Sequence, residues 1–244
     1  MGRIVVVTAV RPETRAALAA LSGVRRVRGA ERSRWRGYAG AHEVEVVQTG
    51  IGGAGAARAL DRLELFVDLV VSLGFAGALR KGPIAGDLVL PEAVVRADGS
   101  AERIAIAPVL VAALAVAGAD VPGGNTVRGT LLTVPAMLAT PAEKEAAGGR
   151  FNAVAVEMEC ADVARYAADR GVRFLPLRVI LDPLELSLAG LPPDLDASWR
   201  ARTRAALAPG TWPLLAVLAR HAARAGATLT TVARRLFPAL ATLR

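Results

Sequence analysis

The feature that most constrains this chain is a regular alternation between short apolar strands and stretches of helical composition. Three segments, Ile4 to Ala9, Val67 to Leu73 and Phe174 to Leu181, are nearly continuous apolar runs, as expected of strands buried on both faces. Further strand candidates are His42 to Gln48, Asp87 to Val95, Thr130 to Val134 and Ala153 to Val156. Helix candidates are Glu13 to Leu21, Ala54 to Leu65 and Ala161 to Asp169. The alternation predicts a single-domain α/β fold, in which helices flank a mixed, largely parallel central sheet in three layers (α/β/α).

The chain has 244 residues, which suits one such domain. We assign residues 1–183 to the domain and residues 184–244 to a C-terminal extension, because Leu184 to Trp199 is irregular and rich in Leu and Pro. From Pro213 onward the apolar residues recur at helical spacing and arginines fall on other faces. This pattern predicts an amphipathic helical tail, with Gly226 as a candidate break. Such a tail fits packing on the domain and contact with a membrane surface equally well.

The net charge and the aromatic content indicate which kinds of partner the chain could bind. The formal net charge of +8 fits an acidic ligand, a nucleic acid or an anionic membrane, and also a genome-wide preference for arginine. Aromatic residues make up only 4%, too few for platforms that stack the bases of single strands. We therefore expect no nucleic-acid partner.

Other general features bear on the compartment and on metals. Cys160 is the only cysteine, so an internal disulfide is excluded and a cytoplasmic location is expected. The opening MGRIVVVTAV predicts a first strand and not a signal peptide. The stretch Ile104 to Ala119 is too short to span a bilayer and predicts a buried, Ala-rich helix. Because no His, Cys or carboxylate pair has the spacing of metal ligands, we expect no metal.

Two glycine-containing segments follow predicted strands. In Thr49-Gly50-Ile51-Gly52-Gly53, glycine permits close approach of backbone N–H groups to an oxyanion or a sugar hydroxyl before a helix begins. In Leu73-Gly74-Phe75-Ala76-Gly77-Ala78-Leu79, small residues could admit a ligand. Each segment is equally well explained as a tight, packed turn.

Acidic residues near strand ends are the candidates for chemistry. In Val156-Glu157-Met158-Glu159 the two carboxylates alternate along an extended strand, face the same way and could grip a vicinal diol, although a charged helix N-terminus is the plainer explanation. Asp182 directly follows an apolar strand, where catalytic groups gather in α/β folds, and it also fits a helix cap or an Asp-Pro turn. Glu13 lies just past the first strand, a place that suits a base.

Taken in order, these pieces resemble the nucleoside phosphorylase/nucleosidase superfamily over residues 3 to about 183. Gln48 to Gly52 is similar to its first glycine turn, and Leu73 to Leu79, with Gly86-Asp87-Leu88-Val89 after it, to its second glycine segment. Val156 to Glu159 resembles its most specific motif. Arg178 to Asp182 resembles the strand that ends in its catalytic aspartate.

The resemblance implies roles for these residues. Asp182 would deliver a proton to purine N7, and Glu13 would activate water in the hydrolytic branch. Glu159 would hold the ribose hydroxyls and Met158 would pack against the sugar. The remaining expected substrate contacts are Glu157, Gly52, Phe75, Ala76, Gly77 and Met137. Phe75 stands where Ser or Thr is frequent in the family, so a hydrogen bond there is not expected.

The nucleophile and the substrate are less constrained. Phosphorylases of the superfamily carry an Arg just before the second glycine segment, where this chain reads Val70-Val71-Ser72-Leu73; this favours water, although Arg11 or Arg15 could bind inorganic phosphate as a co-substrate. The resemblance implies no cofactor and a homo-oligomer. The alternatives within enzymes are a methylthioadenosine/S-adenosylhomocysteine nucleosidase and a futalosine hydrolase. Outside enzymes they are a nucleoside sensor and a membrane-peripheral scaffold.

A narrower resemblance concerns the hopanoid-associated members of the superfamily. It rests on Thr140-Pro141-Ala142-Glu143-Lys144, on Arg178-Val179 followed by Asp182-Pro183, and on the run Pro209 to Leu215. The first of these runs also predicts a helix start with Thr140 as its N-cap. This resemblance implies removal of adenine from adenosylhopane, a lipid-linked nucleoside, with the basic tail in peripheral contact with the inner face of the membrane.

Overall fold

The strand predicted for Ile4 to Ala9 is β1, and it lies inside the sheet with a neighbour on each side. The computed structural model describes residues 3–28, 33–61, 67–98, 102–119, 121, 124–191 and 209–240. Strand β1 lies between β4 and β5 and runs parallel to both. Its side chains from Ile4 to Val7 are at most 3% exposed, which explains why both faces of this strand are apolar. The strands are β1 (Arg3–Thr8), β2 (Ser22–Arg26), β3 (Arg34–Ala39), β4 (His42–Gln48), β5 (Leu69–Ala78), β6 (Leu88–Arg96), β7 (Arg103–Ala105), β8 (Thr126–Thr133), β9 (Ala153–Glu157) and β10 (Arg173–Asp182).

The sheet closes on itself at one end. Its order is β10-β6-β8-β9-β5-β1-β4-β3-β2, and β10 also pairs in parallel with β5. Strands β5, β9, β8, β6 and β10 therefore form a closed ring, with β1, β4, β3 and β2 extending from it and β7 paired to β6. The closure brings the carboxyl ends of the parallel strands β5 and β10 side by side.

Helices pack on this sheet in two groups. They are α1 (Arg11–Leu18), α2 (Gly53–Asp61), α3 (Pro108–Gly118), α4 (Pro141–Phe151), α5 (Cys160–Asp169) and α6 (Trp212–Leu240). Helices α1 and α3 each contact α6, α2 contacts α5, and α4 contacts β9. The predicted single-domain α/β fold, with helices flanking a mixed sheet, is confirmed.

The start of α4 follows directly from its sequence. Thr140 is the N-cap, and its hydroxyl accepts a hydrogen bond from the Glu143 amide at 3.2 Å. The Glu143 carboxylate accepts one from the Thr140 amide at 2.9 Å, and Pro141 fills the first helical position. This capping fixes where α4 begins, and therefore where Lys144 lies.

The C-terminal helix α6 is continuous for 29 residues. It runs through Gly226, so the candidate break there is wrong. Its second half packs on the domain through Leu229, Val232 and Leu236, which are fully buried, while Trp212 at its start is 60% exposed. None of the helices in the described ranges is both long enough and apolar enough to cross a membrane.

Other local predictions were wrong. Ile104 and Ala105, the first two residues of the predicted helix Ile104 to Ala119, belong to strand β7, and the helix starts only at Pro108. The second glycine segment is not a turn, because β5 continues through it to Ala78. The sequence patterns did not indicate β2 or β3. The end of the helix predicted for Ala54 to Leu65 and most of the irregular stretch Leu184 to Trp199 lie outside the described residues.

Candidate active site

Glu13 is held by backbone amides from two elements. It lies in the first turn of α1, and one carboxylate oxygen (Oε2) accepts hydrogen bonds from the amides of Ala9 (2.8 Å) and Val10 (3.0 Å). The other oxygen (Oε1) accepts from the amide of Phe75 in β5 at 2.9 Å. Burial raises the pKa of Glu13, and the charge of Arg178 and these amides oppose the rise. The residue therefore joins the end of β1 to the end of β5.

The motif around Met158 does not form one extended strand. Strand β9 ends at Glu157, and Glu159 is the N-cap residue of α5, so the expectation that both carboxylates face the same way along a strand is wrong. The Glu157 carboxylate accepts from the amides of Glu159 (2.9 Å) and Cys160 (2.8 Å), which satisfies the free N–H groups at the start of α5. The helix-terminus explanation therefore applies to Glu157.

The rest of the Glu157 carboxylate is also engaged by the protein. Its Oε1 accepts from the Thr133 hydroxyl at 2.5 Å, and its Oε2 accepts from Arg178 at 2.9 Å. The side chain is only 1% exposed. Glu157 therefore lies behind Glu159 as a support, although the sequence placed it among the substrate contacts.

Glu159 points toward the first glycine turn. Its Oε1 accepts a hydrogen bond from the Gly52 amide at 2.9 Å, and its Oε2 lies 3.8 Å from the Arg178 guanidinium. Burial, together with the neighbouring charge of Glu157, raises the pKa of Glu159 to about 7. Glu159 is thus less engaged by the protein than Glu157.

Arg178 is the buried cation that contacts the acidic groups Glu157 and Glu159. It lies in the middle of the apolar strand β10 and is buried, and its guanidinium donates to the Ser72 carbonyl (3.0 Å), the Ser72 hydroxyl (2.9 Å) and Glu157. The sequence did not assign Arg178, Ser72 or Thr133 to the site. The signal available was a charge inside an otherwise apolar strand, because a buried arginine requires acidic or carbonyl partners.

Asp182 stands at the end of β10 with a buried lysine beside it. The Lys144 ammonium lies 2.6 Å from Asp182 Oδ2, and the Lys144 side chain is fully buried. Burial raises the pKa of Asp182, and the charge of Lys144 acts in the opposite direction. The sequence motifs gave Lys144 no role at the site beyond its place in the run Thr140 to Lys144. Its position beside Asp182 is seen only in the structure.

The two glycines of the second segment leave room for these acids. A Cβ atom on Gly74 would lie 2.5 Å from Glu13 Oε1. A Cβ atom on Gly77 would lie 2.9 Å from Asp182 Oδ2. Both distances are shorter than van der Waals contact, so glycine is required in this strand by the close approach of carboxylates and not by a turn.

The predicted site residues converge on one cavity. Glu13, Glu159 and Asp182 line it from α1, the start of α5 and β10. The other predicted residues in its walls are Glu157, Met158, Phe75, Ala76, Gly77 and Met137. Gly52 lines an adjoining cavity that shares Ile51, Val134 and Met158 with the first. The described lining of the first cavity includes no lysine or arginine, and Arg11 and Arg15 are exposed on α1.

The adjoining cavity is lined in part by an ion pair. Arg96 and Asp162 meet in a two-pronged contact, with nitrogen–oxygen distances of 2.7 and 3.2 Å. Arg58 and Asp98 also line this space. Within the described ranges, no group of three or more His, Cys, Asp or Glu residues could hold a metal ion.

A comparison with models of protein families shows which family the chain belongs to. The model described as the phosphorylase superfamily matches residues 3–208. The chain belongs to the phosphorylase superfamily. This match confirms the superfamily predicted from the motifs, and with it an enzyme of that superfamily. A comparison with curated protein sequences finds no match.

Solved structures of similar fold support the membership in the phosphorylase superfamily. A protein of Weissella paramesenteroides assigned as a methylthioadenosine nucleosidase is 24% identical, with a TM-score of 0.76 over 98% of each chain. The 5′-methylthioadenosine/S-adenosylhomocysteine nucleosidase of Neisseria meningitidis, in complex with methylthio-immucillin-A, is 19% identical, with a TM-score of 0.73 over 96% of this chain and 99% of that one. A futalosine hydrolase mutant of Helicobacter pylori is 20% identical, with a TM-score of 0.73 over 95% and 98%. At these identities the likeness establishes the fold.

Proposed function

We propose that the chain hydrolyses the N-glycosidic bond of an adenine nucleoside, with water as the nucleophile. The observation that carries the proposal is one cavity lined by Glu13, Glu159 and Asp182, with no lysine or arginine in its described walls. Three carboxyl groups suit a reaction in which the sugar becomes positively charged. The described walls of this cavity offer a phosphate dianion no lysine or arginine to pair with, which favours hydrolysis over phosphorolysis.

Each acid has a distinct task in this mechanism. Asp182 donates a proton to N7 of the purine, and the electron pair of the glycosidic bond moves into the base as that bond breaks. Glu159 accepts hydrogen bonds from the ribose hydroxyls, and Met158 packs on the sugar. Glu13 accepts a proton from the water that attacks C1′, and the hydroxyl group of that water becomes bonded to C1′. Glu13 then releases this proton to solvent, and solvent protonates Asp182 again. The products are adenine and the hydrolysed sugar.

The burial of the acids supports these tasks. A general acid must hold its proton near neutral pH, and burial raises the pKa of Asp182 in that direction. A raised pKa also makes Glu13 a stronger base than an exposed glutamate. Glu13, Glu157 and Glu159 surround the one guanidinium of Arg178, so their carboxylates can stabilise the developing cation of the sugar.

The base and the rest of the substrate are proposed from the resemblance and the neighbouring structures. Two of those neighbours are named as nucleosidases of methylthioadenosine or S-adenosylhomocysteine, which supports adenine as the leaving group. We place the base against Phe75, Ala76, Gly77 and Met137. We retain adenosylhopane as the proposed substrate and a peripheral membrane contact for α6, on the sequence resemblance and on the exposed Trp212, Arg220 and Arg224 of that helix.

The test is an assay of adenine release with identification of the sugar product. Adenosylhopane, methylthioadenosine, S-adenosylhomocysteine and futalosine are each incubated with the protein, with and without inorganic phosphate. We expect base release without phosphate, free ribose derivatives as products, and fastest turnover of adenosylhopane. Asp182→Asn should abolish release while retaining nucleoside binding. Binding without release by the wild-type protein would refute the proposal in favour of a sensor, and ribose 1-phosphate as product would refute hydrolysis.

A further inference from the structure

Lys144 makes three polar contacts from a fully buried position. Its ammonium lies 2.6 Å from Asp182 Oδ2 and donates to the carbonyls of Pro183 (3.1 Å) and Leu186 (3.0 Å). An ammonium has three protons, so these partners account for all of its donors. The side chain thus joins α4 to Asp182 and to the segment that follows it.

Lysine is uncommon in this chain, which makes its burial notable. Of the 30 lysine and arginine residues, only Lys81 and Lys144 are lysines. Lys81 is exposed. A fully buried charge costs free energy unless it is paired, and such pairs contribute little to stability compared with apolar residues of similar size. The position of Lys144 therefore points to a role at Asp182 and not to general stabilisation.

We propose that Lys144 is a positioning residue for the reaction, holding Asp182 by one carboxyl oxygen so that the other is presented to the base. This inference rests on the proposed function of the site. When the Asp182 proton moves to N7, the carboxylate left behind forms an ion pair with the Lys144 ammonium. The counter-ion is already in place, so no group has to reorganise as this negative charge appears.

Lys144 also fixes part of the cavity wall. Its contacts with the Pro183 and Leu186 carbonyls restrain the segment that leads to Leu188, which lines the cavity. The Leu188 amide donates to the Ala139 carbonyl at 2.7 Å, just before α4. Lys144 itself does not line the cavity, so it acts on the substrate only through these neighbours.

The charged groups near Asp182 allow the effect of removing Lys144 on the pKa of Asp182 to be predicted. Besides a backbone hydrogen bond, two charged groups act on Asp182, Lys144 from α4 and, more weakly, His221 from α6, and both lower the pKa that burial raises. Replacing Lys144 with an uncharged residue removes the larger of these two effects. The pKa of Asp182 should then rise, and the acid should become a poorer proton donor.

The experiment compares Lys144→Met and Lys144→Gln with the wild type, and uses Lys81→Met as the matched control. We expect kcat for adenine release to fall ~10-fold or more in both Lys144 variants, with KM nearly unchanged. The alkaline limb of the kcat profile should move to higher pH, because the charge of Lys144 lowers the pKa of Asp182 in the wild type. Lys81→Met should match the wild type. Circular dichroism verifies folding.

A second readout does not depend on turnover. Carboxyl-labelled (¹³C) aspartate allows Asp182 to be titrated by NMR, with Asp182→Asn assigning its resonance. A higher Asp182 pKa in the folded Lys144 variants supports the inference, and an unchanged value overturns it, as does unfolding of both variants. If the wild type releases no base from any nucleoside, the proposed function fails while this titration still decides the role of Lys144.

Discussion

Replacing Glu159 with glutamine should stabilise the protein and inactivate it. The carboxylate is 12% exposed, faces Glu157, and lies 3.8 Å from Arg178. Arg178 retains its closer contact with Glu157 in the variant. Glutamine is nearly the same size as glutamate, and its carbonyl oxygen can still accept the hydrogen bond from the Gly52 amide. The substitution therefore removes the charge with little change in packing.

The magnitude follows from the pKa of Glu159. Burial and Glu157 raise it from 4.5 to about 7, and each pH unit between the folded and unfolded pKa values is worth ~1.4 kcal/mol. Ionised Glu159 thus costs the folded state about 3 kcal/mol. Below pH 4.5 the group is protonated in both states and the cost is absent. It grows between pH 4.5 and 7, where only the unfolded chain ionises, and is complete above pH 7.

Urea denaturation at several pH values between 4.5 and 8.5 measures this effect as a difference between variant and wild type. The free energy of unfolding of Glu159→Gln should exceed that of the wild type by ~1–3 kcal/mol at pH 8 and by almost nothing at pH 4.5. Glu145→Gln, on the exposed side of α4, is the control and should show no such difference. A variant that is less stable than the wild type at pH 8, or a difference independent of pH, would refute the reasoning.

The remaining predictions concern neighbouring groups of the same site. Gly77→Ala adds a Cβ atom 2.9 Å from Asp182 Oδ2, so the carboxyl group must shift, kcat should fall ~10-fold or more and the thermal unfolding midpoint should fall; an unchanged kcat would contradict the required close approach. Arg178→Met leaves Glu157 and Glu159 buried without a counter-charge and should lower the free energy of unfolding by ~3–5 kcal/mol, measured in urea; a loss below ~1 kcal/mol would contradict the contacts described. For the wild type, kcat/KM should fall as the pH drops through about 7, because protonation turns one acceptor oxygen of Glu159 into a donor and removes the charge that strengthens its hydrogen bonds with the ribose hydroxyls; a flat profile from pH 6 to 8 would count against that role.

The strands and the acids that follow them could be predicted from local sequence. A central parallel strand is apolar on both faces, so the pattern in Ile4 to Val7 marks β1 without reference to any other part of the chain. Asp182 and Glu13 were found because they directly follow such strands. Strands β2 and β3 were missed because they lie at the outer end of the sheet, where β2 is exposed along its whole length and no apolar pattern is needed.

The supporting residues could not be predicted because they depend on contacts between distant segments. Lys144 and Asp182 are 38 positions apart and meet only because α4 packs beside the end of β10. A packed turn was one of two explanations left open for the second glycine segment, because glycine is frequent in turns. Its actual cause, the approach of Glu13 and Asp182 to strand β5, is visible only once the ring of five strands has closed.

The hydrogen bonds of Glu13 affect how well this residue can identify active relatives. Three backbone amides depend on its carboxylate, so a relative that had lost its activity would still keep the glutamate for the sake of folding. Lys144 also donates to the Pro183 and Leu186 carbonyls, but a buried ion pair without a task can be exchanged for apolar residues of similar size. Among homologous genomic sequences, the joint presence of that lysine and that aspartate should therefore separate working enzymes from inactive descendants better than the glutamate does.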